Sequence, residues 1–148
     1  MTQLKDVKVK HQTGTVALEQ VSKKYAESSI NAQAVAFIDD IASSYQWADM
    51  IICRSGAMTV SEIAAAGLPA IFIPLPHAID DHQTANAKYL TDAGAGILLA
   101  QSNLTVESLL LAIKDMKNSL KEMSNLAKSK AKLDATIEVA NICMEEAA

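Results

Sequence analysis

The chain has 148 residues, of which 50% are hydrophobic and 20% are charged, and its formal net charge is −4. This length and composition predict one globular domain with a core of its own. The negative charge and an aromatic content of 4% argue against a nucleic-acid partner, which would require a basic face or stacking platforms.

Strand and helix patterns alternate along the chain. Strands are predicted at residues 7–9, 34–38, 50–53, 70–73 and 96–99. Helices are predicted at residues 15–27, 41–47, 60–66, 83–93, 103–116, 120–132 and 135–146. A turn is predicted at residues 11–14, between the first strand and the first helix. This alternation predicts an α/β fold with a mainly parallel five-stranded sheet and helices on both faces.

The sequence predicts neither a signal peptide nor a membrane span. Residues 1–6 lack the apolar segment of a signal peptide, and Gly67, Pro69 and Pro74 interrupt the longest apolar stretch, so we expect no membrane span. Cys53 and Cys143 are far apart, and we expect two buried, reduced thiols rather than a disulfide.

The stretch from Cys53 to Glu62 carries the strongest pattern of a functional site. Ser55 and Gly56 predict a sharp turn after a strand. Thr59 and Glu62, three residues apart, predict a capping box that opens the next helix. Open α/β sheets bind ligands at this edge, and a helix N-terminus favours an anion such as a phosphate. An ordinary turn with a well-capped helix explains the same pattern without a ligand.

Two charged residues flank this turn, and each has two interpretations. Arg54 can pair with a diphosphate or a base carbonyl, or it can form a surface salt bridge. Glu62 can accept two hydrogen bonds from a ribose diol, or it can be only the acidic partner of the capping box. Ser55 is not expected to be an acyl-transfer nucleophile, because its turn lacks the glycine that a nucleophile elbow has two residues upstream.

The loop before residue 83 groups His77, Asp80, Asp81 and His82. Their spacing fits no zinc pattern, so we expect no metal, and the two aspartates are expected to cap the following helix.

Two amide side chains follow on that helix. Gln83 and Asn86 lie three residues apart on one helix face, which suits recognition of sugar hydroxyls or, equally, a solvated surface.

The string CRSGAMTVSEIAAAGLPAIFIPLP, followed by DDHQTANA, closely resembles the C-terminal half of the MurG family of bacterial N-acetylglucosaminyltransferases. The strings HQTG, FIDDI and WADMIICRSGA resemble the same family in the same order. The resemblance covers the chain from His11 to the last helix. It implies a GT-B enzyme with two Rossmann-like domains, of which residues 1–148 are the domain that binds UDP-N-acetylglucosamine.

The resemblance also implies roles for individual residues. Glu62 would hold the ribose hydroxyls, and Phe37 and Ile38 would flank the uracil, with Ile38 contacting it through its backbone. The residues expected at the nucleotide and its diphosphate are Arg54, Ser55, Gly56, Ala57, Met58 and Thr59. Those expected at the sugar are His82, Gln83 and Asn86. No metal or other cofactor is implied for the sugar transfer.

Two departures from the family pattern affect the functional expectation. The N-terminal acceptor domain, which would hold the catalytic base, and the Gly-rich loop that starts the donor domain are both absent, so the chain is expected to be a fragment or split gene product with no catalytic residue. The expected reaction partner is lipid I, converted to lipid II in peptidoglycan synthesis at the cytoplasmic face of the membrane. A non-catalytic subunit of a split transferase and a relative of UDP-N-acetylglucosamine 2-epimerase are the alternatives.

Overall fold

Residues 7–76 and 81–146 are described by the structure, a computed structural model. The strands are β1 (Lys8–Gln12), β2 (Asn31–Val35), β3 (Ile51–Cys53), β4 (Ala70–Phe72) and β5 (Gly96–Leu98). The α-helices are α1 (Gly14–Ala26), α2 (Ile41–Trp47), α3 (Ala57–Ala66), α4 (His82–Thr91), α5 (Val106–Lys117), α6 (Leu120–Ser129) and α7 (Ala135–Glu146). The α/β class predicted from the sequence is confirmed.

The strands form two sheets in the described residues, so the prediction of one five-stranded sheet is wrong. β1 pairs with β2, and β4 lies between β3 and β5, with every pairing parallel. The chain correspondingly divides into two compact units, Met1–Ser44 and Tyr45–Ala148. Alternation along the sequence predicts the number and direction of strands, but it does not determine which strands are hydrogen-bonded neighbours.

In the first unit, β2 begins three residues before the predicted strand at 34–38, because the register pairs Asn31 with Lys8 of β1. His11 and Gln12, predicted to lie in a turn, extend β1 instead. At the start of α2, Asp40 accepts hydrogen bonds from the hydroxyl (2.6 Å) and amide (2.9 Å) of Ser43. These bonds hold the pKa of the Asp40 carboxyl below its usual value.

In the second unit, β4 separates two hydrophobic clusters. Ala70, Ile71 and Phe72 are fully buried, and successive side chains of a strand point to opposite faces. Ala70 and Phe72 belong to the cluster that contains the buried residues of α3 and α4, whereas Ile71 packs in the cluster of Met116 and Met123. Helices therefore cover both faces of the three-stranded sheet, as the sequence predicted.

Helix α3 ends where the sequence predicted. Gly67 has φ +66°, the left-handed conformation that glycine adopts without a Cβ penalty, and its amide donates to the carbonyl of Ala64 at 3.0 Å. Leu68 then donates to Ile63 at 3.1 Å, and the chain enters β4 two residues later. The left-handed conformation of Gly67 therefore sets the direction in which the chain leaves α3 towards β4.

The C-terminal helices differ in burial. Thr105 and Ser108 form the capping box that begins α5, while α5 and α6 bury Met116, Met123 and Ala127. Helix α7 has no buried residue, so the prediction that Cys143 is a buried thiol is wrong. Within residues 7–76 and 81–146, none of the helices combines the length and apolar character needed to cross a membrane.

We expect Gly96→Ala to destabilise the second unit by about 1–3 kcal/mol. A Cβ on Gly96 would lie 2.8 Å from the carbonyl oxygen of Ala70 and 3.2 Å from the ring of Phe72, so the two strands would have to separate. Chemical denaturation followed by circular dichroism measures the change. The control is Gly56→Ser, because a Cβ there meets its nearest neighbour at 3.7 Å and serine is a favourable N-cap. Equal stability of both variants would contradict the expected strand separation.

Candidate functional site

The turn between β3 and α3 presents the N-terminus of a ten-residue helix. Helix α3 begins at Ala57, and its N-cap, Gly56, has extended backbone angles and no side-chain cap. The predicted capping box is therefore wrong: Thr59 lies within the first turn of the helix, and Glu62 lies beyond it. Because a glycine cap has no oxygen to offer, no N-cap side chain satisfies the first N–H groups of α3. These groups, on Ala57 and Met58 among others, are the donors an anion can use.

Glu62 is exposed and is held by a residue that the sequence did not indicate. The hydroxyl of Tyr45 donates to Oε2 of Glu62 at 2.9 Å. Burial raises the pKa of the Tyr45 hydroxyl, and the hydrogen bond and negative charge of Glu62 raise it further, so the hydroxyl keeps its proton and stays a donor. One carboxylate oxygen is thus fixed by the protein, and Oε1 accepts no hydrogen bond from the residues that the structure describes.

Ser55 lies at the base of this turn, and it is fully buried. Its Oγ has no hydrogen-bond partner in the part of the chain that the structure describes, whereas its carbonyl accepts a bond from Nδ2 of Asn86 at 3.1 Å. Asn86, predicted at the sugar, therefore also ties helix α4 to the turn before α3. Burial of the hydroxyl agrees with the expectation that Ser55 is not a nucleophile.

Arg54 contacts two backbone carbonyls. Its Nη1 donates to the carbonyls of Ile73, at 3.0 Å, and Pro74, at 2.9 Å, where the chain leaves β4. Among the residues that the structure describes, these carbonyls are the partners of Arg54, and the surface salt bridge considered from the sequence is not formed.

The residues before α4 are described in part. His77 and Asp80 lie outside the described residues, and Asp81 occupies the N-cap position without a side-chain cap; its Oδ1 accepts from the Thr84 hydroxyl at 2.6 Å. His82, the first residue of α4, is exposed. In the segments on either side of the gap at 77–80, no three metal-binding side chains are grouped.

Gln83 links α4 back to the end of β4. Its Oε1 accepts a hydrogen bond from the amide of Leu75 at 2.9 Å. That bond fixes the side-chain oxygen of Gln83. The same amide group also carries two N–H donors, which take no part in this bond. Likewise, the side-chain oxygen of Asn86 takes no part in the bond to Ser55, because Nδ2 is the atom that donates.

The two residues predicted at the uracil belong to the first unit. Phe37 is 67% exposed and Ile38 is half-buried, directly after β2. The amide of Ile38 donates to Oε1 of Gln12 at 3.0 Å, so the N–H group of Ile38 is bonded to a side chain of this chain. The sequence did not indicate this role for Gln12, although the residue stands in the HQTG string.

The structure brings most of the predicted residues of the second unit to one edge of the three-stranded sheet. The carboxyl ends of β3 and β4 meet there, and the hydrogen bonds of Arg54, Gln83 and Asn86 connect the segments that follow the two strands. The arrangement offers helix N–H donors, a fixed carboxylate and two amide groups. This set can bind an anionic group and several hydroxyls, the chemistry of a nucleoside diphosphate sugar.

Residues 1–140 match the model of a family described as the glycosyltransferase family 28 C-terminal domain. A relative from Methylococcus capsulatus is 49% identical over 144 residues, which cover 95% of this chain and 41% of that protein. It is named UDP-N-acetylglucosamine–N-acetylmuramyl-(pentapeptide) pyrophosphoryl-undecaprenol N-acetylglucosamine transferase. A relative of the same name from Dechloromonas aromatica is 47% identical and is covered over 38% of its length. The chain thus spans about two fifths of these relatives.

The fold is also similar to that of solved glycosyltransferase structures. Acinetobacter baumannii MurG is 41% identical, with a TM-score of 0.88 over 93% of this chain and 43% of that one. The glycosyltransferase of kitacinnamycin, at 15% identity, has a TM-score of 0.57, which shows the fold alone. The Rossmann-like fold of a GT-B C-terminal domain is thereby confirmed.

The two thiols are expected to react at very different rates. Burial raises the pKa of Cys53 to about 12, which disfavours its reactive thiolate, whereas Cys143 is exposed. An aromatic disulfide reagent should label one thiol of the folded chain rapidly and the second only after denaturation. The structure makes Cys53 partly buried rather than the fully buried thiol expected from the sequence. Cys143→Ser should remove the rapid phase, and two rapid phases in the unmodified chain would contradict the protection of Cys53.

Proposed function

The chain belongs to the family of glycosyltransferase family 28 C-terminal domains, and we propose that it binds UDP-N-acetylglucosamine as the donor part of an inverting N-acetylglucosaminyltransferase. The whole enzyme would transfer N-acetylglucosamine to lipid I and form lipid II. The observation that carries the proposal is the pairing of an uncapped helix N-terminus with a carboxylate that takes no part in capping.

The N-terminus of α3 is proposed to bind the diphosphate. Backbone N–H groups of Ala57, Met58 and Thr59 lie in the first turn, where the helix dipole also favours negative charge. Gly56 permits close approach because it has no Cβ, and the position that a Cβ would take lies 3.7 Å from Oγ1 of Thr59. The Thr59 hydroxyl beside that position adds a further donor.

Glu62 is proposed to bind the ribose. With Oε2 held by Tyr45, Oε1 can accept hydrogen bonds from the ribose hydroxyls, and such bonds to a charged oxygen are stronger than neutral ones. Phe37 and Ile38 are proposed to flank the uracil, with Ile38 contacting it through its backbone. His82, Gln83 and Asn86 are proposed to meet the sugar.

The proposed reaction is an in-line displacement. A hydroxyl of the acceptor attacks the anomeric carbon while the bond to the UDP oxygen breaks, so the configuration at that carbon inverts. Negative charge develops on the departing diphosphate, and the N–H groups of α3 stabilise it because they are already oriented before the reaction begins. The residue that takes the proton from the acceptor is proposed to lie in the part of the relatives that this chain does not span.

The acceptor defines the proposed partners and location. Lipid I is anchored in the membrane and presents its sugar at the cytoplasmic face, so the whole enzyme would act there as a peripheral protein. The acceptor-binding part would be supplied by the same protein or by a partner chain.

We expect Glu62→Gln to weaken UDP binding by roughly 1–3 kcal/mol, because neutral hydrogen bonds replace charge-assisted ones. The melting temperature without ligand should stay nearly constant, since Glu62 is exposed and does not cap α3. Calorimetric titration with UDP measures the affinity. The matched control is Glu122→Gln, which removes an exposed carboxylate from α6. Equal affinities of the two variants would reject the ribose role.

We expect the 148-residue chain to bind the donor without transferring its sugar. Orientation of the acceptor supplies a large part of the rate in such reactions, and the chain spans about two fifths of its relatives. The assay follows UDP release with a lipid I analogue, first with the chain alone and then with an added acceptor domain of a relative. Turnover by the purified chain alone would show that the expectation is wrong.

A further inference from the structure

The side chain of Arg54 forms hydrogen bonds between the ends of β3 and β4, at the point where the backbone pairing of these strands stops. The last backbone bond of this pairing joins the amide of Ile73 to the carbonyl of Cys53 at 2.9 Å. The next residue, Pro74, has no N–H group and cannot continue the ladder. The guanidinium of Arg54 instead donates to the carbonyls of Ile73 and Pro74, which a strand neighbour no longer serves.

These bonds belong to a closed ring of contacts. Arg54 holds Pro74; the amide of Leu75, the next residue, donates to Gln83; and Asn86, one turn further along α4, donates to the carbonyl of Ser55, which adjoins Arg54. The ring is closed by three side chains that each bind backbone, so a change at one side chain alters the constraint on the other two. Gln83 and Asn86 are the residues of the ring proposed at the sugar.

We propose that Arg54 is a positioning residue that holds residues 73–75, directly after β4, and thereby orients Gln83 towards the sugar of the donor, rather than a ligand of the diphosphate. The part that concerns the sugar rests on the proposed function. A planar guanidinium has donors in a fixed geometry and keeps its charge at any working pH, which suits a group that must span two adjacent carbonyls. Nη1 donates to both carbonyls, so this nitrogen does not point at a phosphate. The positive charge of Arg54 still lies at the edge of the site.

The test uses Arg54→Met, which keeps an unbranched stem and removes the donors and the charge. The first readout needs no ligand: amide exchange at Leu75, followed by NMR, should become roughly tenfold faster, because the segment loses a charged hydrogen-bond donor. Lys88→Met is the matched control, since it removes the same charge from an exposed position of α4 and should leave exchange at Leu75 unchanged. Unchanged exchange in Arg54→Met would overturn the proposal.

The second readout separates the sugar from the nucleotide. Calorimetric titrations with UDP and with UDP-N-acetylglucosamine should show UDP affinity within about threefold of the unmodified chain, and a loss of about tenfold for the sugar nucleotide. Equal losses for both ligands would overturn the proposal and assign Arg54 to the diphosphate. If the unmodified chain binds neither ligand, the proposed function fails, and the exchange at Leu75 still decides whether Arg54 holds the segment.

Discussion

Strand β4 lies between β3 and β5, and its three residues are fully buried. Burying a side chain such as Ile71 or Phe72 contributes about 1.5–3 kcal/mol each, so this short strand fixes the centre of the second unit. The chain segments of the site leave the sheet at the carboxyl ends of β3 and β4. Their positions therefore depend on the parallel register that pairs Cys53 with Phe72.

Several elements could be predicted from the sequence because their signals are local. Helix α2 and helix α7 have the predicted bounds, and Thr105 begins α5 as an N-cap should. The predicted sheet was wrong because pairing between distant strands leaves no mark in the periodicity. The capping box at Thr59 was wrong for a different reason: the same residue pattern occurs inside a helix that Gly56 has already begun.

The site shows the same division between local and distant information. The turn at Ser55 and Gly56 was recognisable from its position between a strand and a helix, and the family resemblance pointed to the same residues. The contact of Tyr45 with Glu62 joins residues 17 positions apart, and that of Arg54 with Pro74 joins residues 20 apart. Contacts of this kind depend on how the strands pack, and no short motif records them. The roles of the side chains towards a ligand remain predictions.

The division of the second unit by β4 has a consequence for how its sequence can change. Phe72 faces the layer of α3 and α4, which carry the candidate site, whereas Ile71 faces Ala112 and Met116 of α5. Helix α6 contributes Ala127 to the first layer and Met123 to the second. Substitutions among the residues that pack against Ile71 thus act on the face of β4 opposite to Phe72, and α6 is an element that belongs to both layers. A protein engineer who seeks higher thermal resistance would accordingly begin with the residues around Ile71, on the side of the sheet away from α3 and α4.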